Sequence, residues 1–159
     1  MSDLYDTDVV EWSERQVQLL RCLAARQTSN ESPDWGNIIE EIESVGRSQT
    51  HSVEDLLVQA FLRDLKACAW PHSRKIPHWQ AEARVCRSDA QRRFTPSMRQ
   101  KIDVAALFRD AMEGLPEKMD GYPPSREGLA LAVAAQPTTL DEALTDATAE
   151  GTPSNAQSQ

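Results

Sequence analysis

Apolar residues recur every three or four positions from Trp35 to Pro71, at Ile38, Ile42, Val45, Val53, Leu56, Leu57, Ala60, Phe61 and Leu65. Side chains at i, i+3, i+4 and i+7 share one face of a helix, so the spacing predicts one long helix over about 35–70. Ser32 or Asp34 can cap its start, because a short side-chain oxygen accepts from the unpaired amides of the first turn. Pro71 ends it, since proline disfavours helical geometry in the residue before it. An unbroken helix of this length would run about 50 Å at ~1.5 Å per residue, so a bend is expected near Gly46. The other helices are expected to pack on this one.

The same periodicity predicts a first helix over Val9–Arg26, with Asp8 and Glu11 as an N-terminal pair and Val9, Trp12, Leu19, Leu20 and Leu23 on its buried side. Thr28 to Pro33 reads as a polar loop. After Pro71 the segment HSRKIP is a connector, and Pro77 suits the first turn of a third helix carrying Trp79, Ala83, Cys86, Ala90 and Phe94 inward. Thr95-Pro96 opens a further helical stretch, with Met98 and Ile102 inward. Asp103 can cap another piece, in which Val104, Leu107, Phe108, Ala111, Met112 and Leu115 form the stripe. Residues 96–115 fit one kinked helix or two. Residues 117–128 are rich in turn formers and read as loop, followed by a short helix over Leu129–Ala135. Thr139-Leu140-Asp141-Glu142 matches a capping box before a last helix ending near Thr148. The expected architecture is all-α, a compact helical bundle over residues 1–148 built on the long helix, with a disordered tail at 149–159.

Composition agrees with helix, since only 6 of 159 residues are glycine. The three cysteines, Cys22, Cys68 and Cys86, lie far apart without CxxC spacing, which fits a reducing compartment better than a disulfide or zinc framework. The acidic N-terminus has no secretory layout, and the longest apolar run, Leu129–Ala135, is far short of the ~20 residues that span a bilayer. A soluble, cytoplasmic protein with no membrane association is expected. The net charge of −8 hides a segregated pattern: from Arg63 to Lys101 there are ten basic residues against three acidic ones. Either that basic middle neutralises acidic neighbours within the fold, or it forms a face that meets phosphate.

Several groups carry candidate chemistry. Glu40, Glu41, Glu43 and Arg47 on the long helix, with Arg84 and Arg87 on the third, are read as a structural polar cluster joining the two. Glu41, His51 and Asp64 are the weaker alternative of a metal site for assisted hydrolysis; His51 lies eight residues after Glu43, which departs from the Glu-x-x-His spacing of carboxylate bundles. Arg84, Arg87, Arg92 and Arg93 are the candidates for nucleic-acid contact. The tryptophans at 12, 35, 70 and 79 could stack on bases, but their place on apolar stripes and at helix ends suits core packing.

Tyr5-Asp6, Trp12 and Trp35, the string Ile38 to Ser48 (IIEEIESVGRS), Leu62, Leu65-Lys66, Pro71, Trp79, Arg87, Pro96-Ser97, Phe108 to Ala111 and Pro137 to Leu140 together resemble the bacterial domain-of-unknown-function family 29. The resemblance covers roughly Tyr5 to Leu144. It implies a compact all-helical domain and assigns no activity. This chain has Asp64 where the family pattern carries a histidine, and Cys86 where it carries a glutamine.

The leading reading is a binding or regulatory protein without catalytic activity or a cofactor. Its expected partner is another protein, with homo-oligomerisation open and nucleic acid ranked lower. Metal-assisted hydrolysis and nucleic-acid binding are the alternatives.

Overall fold

The structure is a computed structural model, which describes residues 4–27 and 32–145. Among the described residues there are seven α-helices, one 3-10 helix and no strand. They are α1 (Leu4–Thr7), α2 (Val9–Arg26), α3 (Trp35–Ala69), α4 (Ile76–Arg93), the 3-10 helix (Pro96–Gln100), α5 (Val104–Glu113), α6 (Arg126–Ala134) and α7 (Leu140–Leu144). As the periodicity predicts, α2, α4, α5 and α6 all pack on α3.

The helix ends follow the side-chain signals. Asp8 caps α2 by accepting from the Glu11 amide, Asp34 caps α3 from Asn37, and Asp103 caps α5 from Ala106. Thr139 and Glu142 complete the reciprocal capping box of α7, and Pro77 sits in the first turn of α4. The last helix ends at Leu144, short of the Thr148 expected, because Thr145 is extended and caps it; the tail expected at 149–159 lies outside the described residues.

The main core gathers Val53, Leu57, Phe61 and Leu65 of α3 with Val10, Ala90, Met98, Leu107, Phe108, Leu140 and Leu144. The Phe61 and Phe108 rings meet at 5.9 Å between centroids. A smaller cluster of Ala69, Trp70 and Trp79 closes the far end of α3, where the Trp70 indole N–H donates to the Tyr122 carbonyl at 2.9 Å. Burial of each large aliphatic side chain there contributes about 1.5–3 kcal/mol, so the C-terminal two-thirds of α3 anchors the fold.

Three expectations are corrected, and one open alternative is decided. α3 is one unbroken α-helix through Gly46. The glycine serves close approach instead: a Cβ there would stand 2.5 Å from Ser13 Oγ. Residues 96–115 are two elements, because Asp103 caps a fresh helix after the 3-10 turn. α6 begins three residues before Leu129, capped by Ser125, which accepts from the Gly128 amide. Gly128 is thus a packing glycine rather than a turn residue, since a Cβ there would stand 1.9 Å from the Cys68 carbonyl oxygen. Finally, Leu19 and Leu23 are 58% and 55% exposed, and Ile38 and Val45 are 38% and 39% exposed. In α2 no residue beyond Val17 is buried, and in α3 none before Gly46. The α2–α3 hairpin therefore projects past the core, and among the described residues no helix covers its outer apolar stripe.

Candidate functional site

Where α2 crosses α3, the residues in contact are small. Ser13 is buried and donates to the Val10 carbonyl at 2.8 Å, and the Thr50 hydroxyl donates to the Gly46 carbonyl at 3.1 Å. The helical period then places Glu14, Gln18 and Arg21 of α2 along one flank of the crossing, and Glu43, Arg47, His51 and Glu54 of α3 along the same flank. Lys101, at the C-terminal end of the 3-10 helix, closes the lower end. Together they line a cleft of about 720 Å3.

Opposite charges pair across this cleft. Glu43 holds Arg21 of the facing helix and also Arg47, one turn along α3, at 3.7 Å; Lys101 holds Glu14. Burial pushes the half-buried Glu54 carboxyl upward; His51 opposes that shift, while Asp55 and Asp110 reinforce it. The opening thus offers three cations and three carboxylates, each within reach of a ligand from solvent.

The expected polar cluster of Glu40, Glu41, Glu43, Arg47, Arg84 and Arg87 is not one group. Glu43 and Arg47 belong to the cleft, but their partner helix is α2, not α4. Glu40, Glu41 and Arg84 are exposed. Arg87 is the buried arginine: it bonds Asp64 of α3 and donates from Nε to the Ala143 carbonyl at 3.2 Å, tying α3, α4 and α7 together. The cross-helix role expected of Arg47 therefore falls to Arg87.

Glu41, His51 and Asp64 do not converge. They follow one another along α3 at separations of about 15 and 20 Å at ~1.5 Å per residue, and of the three only His51 reaches the cleft. Among the described residues no group of three or more histidine, cysteine, aspartate or glutamate side chains is placed to hold a metal ion. Nor do Arg84, Arg87, Arg92 and Arg93 make a common basic face. Arg87 is buried, Arg92 pairs with Asp89, and Arg93 donates to Ser52 Oγ at 2.5 Å. Intramolecular pairing accounts for much of the central positive charge, with Arg63 bound to Glu82 at 3.1 Å and Arg99 to Asp141 at 2.9 Å.

Spacing alone does not single out Glu14, Gln18, Arg21, Glu54 or Lys101. The polar stripe at 14, 18 and 21 is visible in the sequence as i, i+4, i+7, but nothing local says that it meets the stripe at 43, 47, 51 and 54. A second opening, of about 740 Å3, lies between the α3–α4 connector and the segment before α6. Its walls are largely apolar, from Trp70, Pro71, Met119 and Pro123, and a tight turn shapes it, with Asp120 and Gly121 at φ of 51° and 88°.

No helix among the described residues is long and apolar enough to cross a membrane. Comparison with curated proteins found no match. Among solved structures, the chain is similar to an alpha-helical protein of unknown function from Rhodospirillum rubrum, at 22% identity and a TM-score of 0.64, covering 86% of this chain and 100% of that one. That likeness shows the shared all-helical fold. The family described as domain of unknown function DUF29 matches residues 4–128, and the chain belongs to it.

Proposed function

We propose that the protein acts by binding rather than by catalysis, and that the cleft between α2 and α3 takes a small polar ligand bearing both charge signs. The observation that supports this reading is the convergence of Arg21, Arg47 and Lys101 with Glu14, Glu43 and Glu54 on one opening of about 720 Å3. Small-molecule sites commonly enclose about 300–1,000 Å3 and orient the ligand with a few polar groups. A ligand carboxylate can displace Glu43 from Arg47, whose contact at 3.7 Å is long, and a ligand ammonium can occupy the carboxylate so released. Such an exchange replaces one ion pair by another and leaves no charge buried unpaired. A reducing, cytoplasmic setting is supported by the three free thiols, and the single helical domain expected over residues 1–148 belongs to the same proposal.

Thermal melts of the full chain with a panel of free amino acids and short dicarboxylates test the reading. A true ligand raises the melting temperature saturably, adding about 2.7 kcal/mol at 100 times its Kd. Arg47→Ala and Glu43→Gln should each abolish that rise while changing the ligand-free stability little, because exposed pairs contribute ~0–1 kcal/mol. If no compound shifts the melt, or the shift survives both substitutions, the cleft is not the site. A rise with manganese, zinc or iron that is lost in His51→Ala would move the metal-assisted hydrolase ahead.

A further inference from the structure

The flank of the hairpin opposite the cleft has a different chemistry. Taking Val17 and Gly46 as the inward positions of their helices, the period of ~100° per residue puts Trp12, Gln16, Leu19 and Leu23 of α2 on one side, together with Ile38, Ile42, Val45 and Gln49 of α3. Nothing charged stands among them. Tyr5 extends the strip at its base, stacking edge-on to Trp12 at 4.9 Å between centroids. Arg93 of α4 reaches only as far as Ser52, so α4 stops short of this strip.

The rims of the strip differ in sign. Along the outer edge of α2 stand Arg26 and Arg15, the latter also paired with Glu11 at 2.7 Å, and along the outer edge of α3 stand Asp34 and Glu41, all four exposed. A surface of this kind is complementary to itself. Turned about a two-fold axis parallel to the hairpin, α2 of one copy lies on α3 of the other, the apolar strips meet, and each basic rim faces an acidic one. A closed two-fold contact is the commonest way soluble chains associate, and it needs such self-complementarity. The available area also suffices. Two helices ~10 Å wide and about 27 Å long give each copy a flat footprint near 540 Å2, so the pair clears the ~1,000 Å2 that separates specific interfaces from chance contacts.

We propose that this flank is sealed by a second copy of the chain, the two α2–α3 hairpins forming an intermolecular four-helix bundle. It lies on the face away from the ligand cleft and stands independently of it.

Sedimentation equilibrium of the full chain is the test. The mass of a dimer is expected for the wild type, and that of a monomer for Leu23→Arg and for Val45→Arg, each with the helical circular dichroism of the wild type. Should either arginine variant lose its helicity, the rim decides. Arg26→Asp should weaken association at least tenfold while keeping the helical circular dichroism of the wild type. A wild-type monomer at high micromolar concentration overturns the proposal, whatever other protein the strip then captures. So does a dimer that is indifferent to Leu23→Arg, Val45→Arg and Arg26→Asp, which would place the contact on another surface.

Discussion

Two arginines show how burial sets the value of a charge. Arg47 looks important in the sequence because it follows three glutamates, yet its side chain is 54% exposed and its partner Glu43 is 33% exposed. Arg47→Ala should cost less than about 1 kcal/mol in thermal stability, in line with exposed pairs generally. Arg87 is enclosed and bonds both Asp64 and a backbone carbonyl, so Arg87→Ala removes a buried tie among α3, α4 and α7. It should cost about 1–3 kcal/mol, measured by urea unfolding, because the substitution deletes the enclosed donor of the Ala143 carbonyl together with its packing. Asp8 behaves in a third way. Burial alone would raise its pKa, but hydrogen bonds from the Ser97 hydroxyl at 2.7 Å and from the Glu11 and Ser97 amides outweigh that and hold the carboxyl below its ordinary value. Because its folded pKa is depressed, Asp8 stabilises the fold above the unfolded value of about 3.9, and that contribution is lost as pH falls through the folded pKa. Asp8→Asn should therefore lower stability at neutral pH and flatten the acid limb of the stability curve. Glu54 has the opposite sign, its pKa being raised. Its carboxylate costs stability as pH rises through the folded pKa, so Glu54→Gln should melt slightly higher than wild type at pH 7.

At helix crossings, two glycines that look alike in the sequence do different things. A methyl at Gly46 meets the Ser13 hydroxyl, whereas at Gly128 it meets the Cys68 backbone carbonyl at 1.9 Å. A side chain can rotate away, but the carbonyl of a packed helix cannot. Gly128→Ala should thus undock α6 from α3 and lower the melting temperature sharply. Gly46→Ala gains about 1 kcal/mol of helix propensity against a local clash. Pairing Gly46→Ala with Ser13→Ala should recover stability beyond the sum of the two single changes, a coupling that a double-mutant cycle reads directly. The start of α6 was hidden from pattern reading for the same reason. Gly128 and the prolines before it carry turn chemistry, and the Ser125 cap starts a helix there that packs its glycine against α3.

The chain as folded divides into an anchored end and a projecting one. Leu65 is 1% exposed and Leu23 is 55% exposed, although both sit on apolar helical stripes. Leu65→Ala should cost about 2–5 kcal/mol of unfolding free energy. Leu23→Ala should leave the stability of a single chain nearly unchanged, and calorimetry on dilute protein separates the two. The helical class, the long central helix, its capping residues and most core positions from Val53 to Leu144 follow from periodicity and local hydrogen bonding, because those forces act over a few neighbouring residues. Which polar stripe meets which, which arginine is enclosed and which leucine stays wet depend on where helices separated by many residues come to lie. A 3.6-residue repeat marks one face of a helix as apolar, but it carries no information about whether another helix arrives to cover that face.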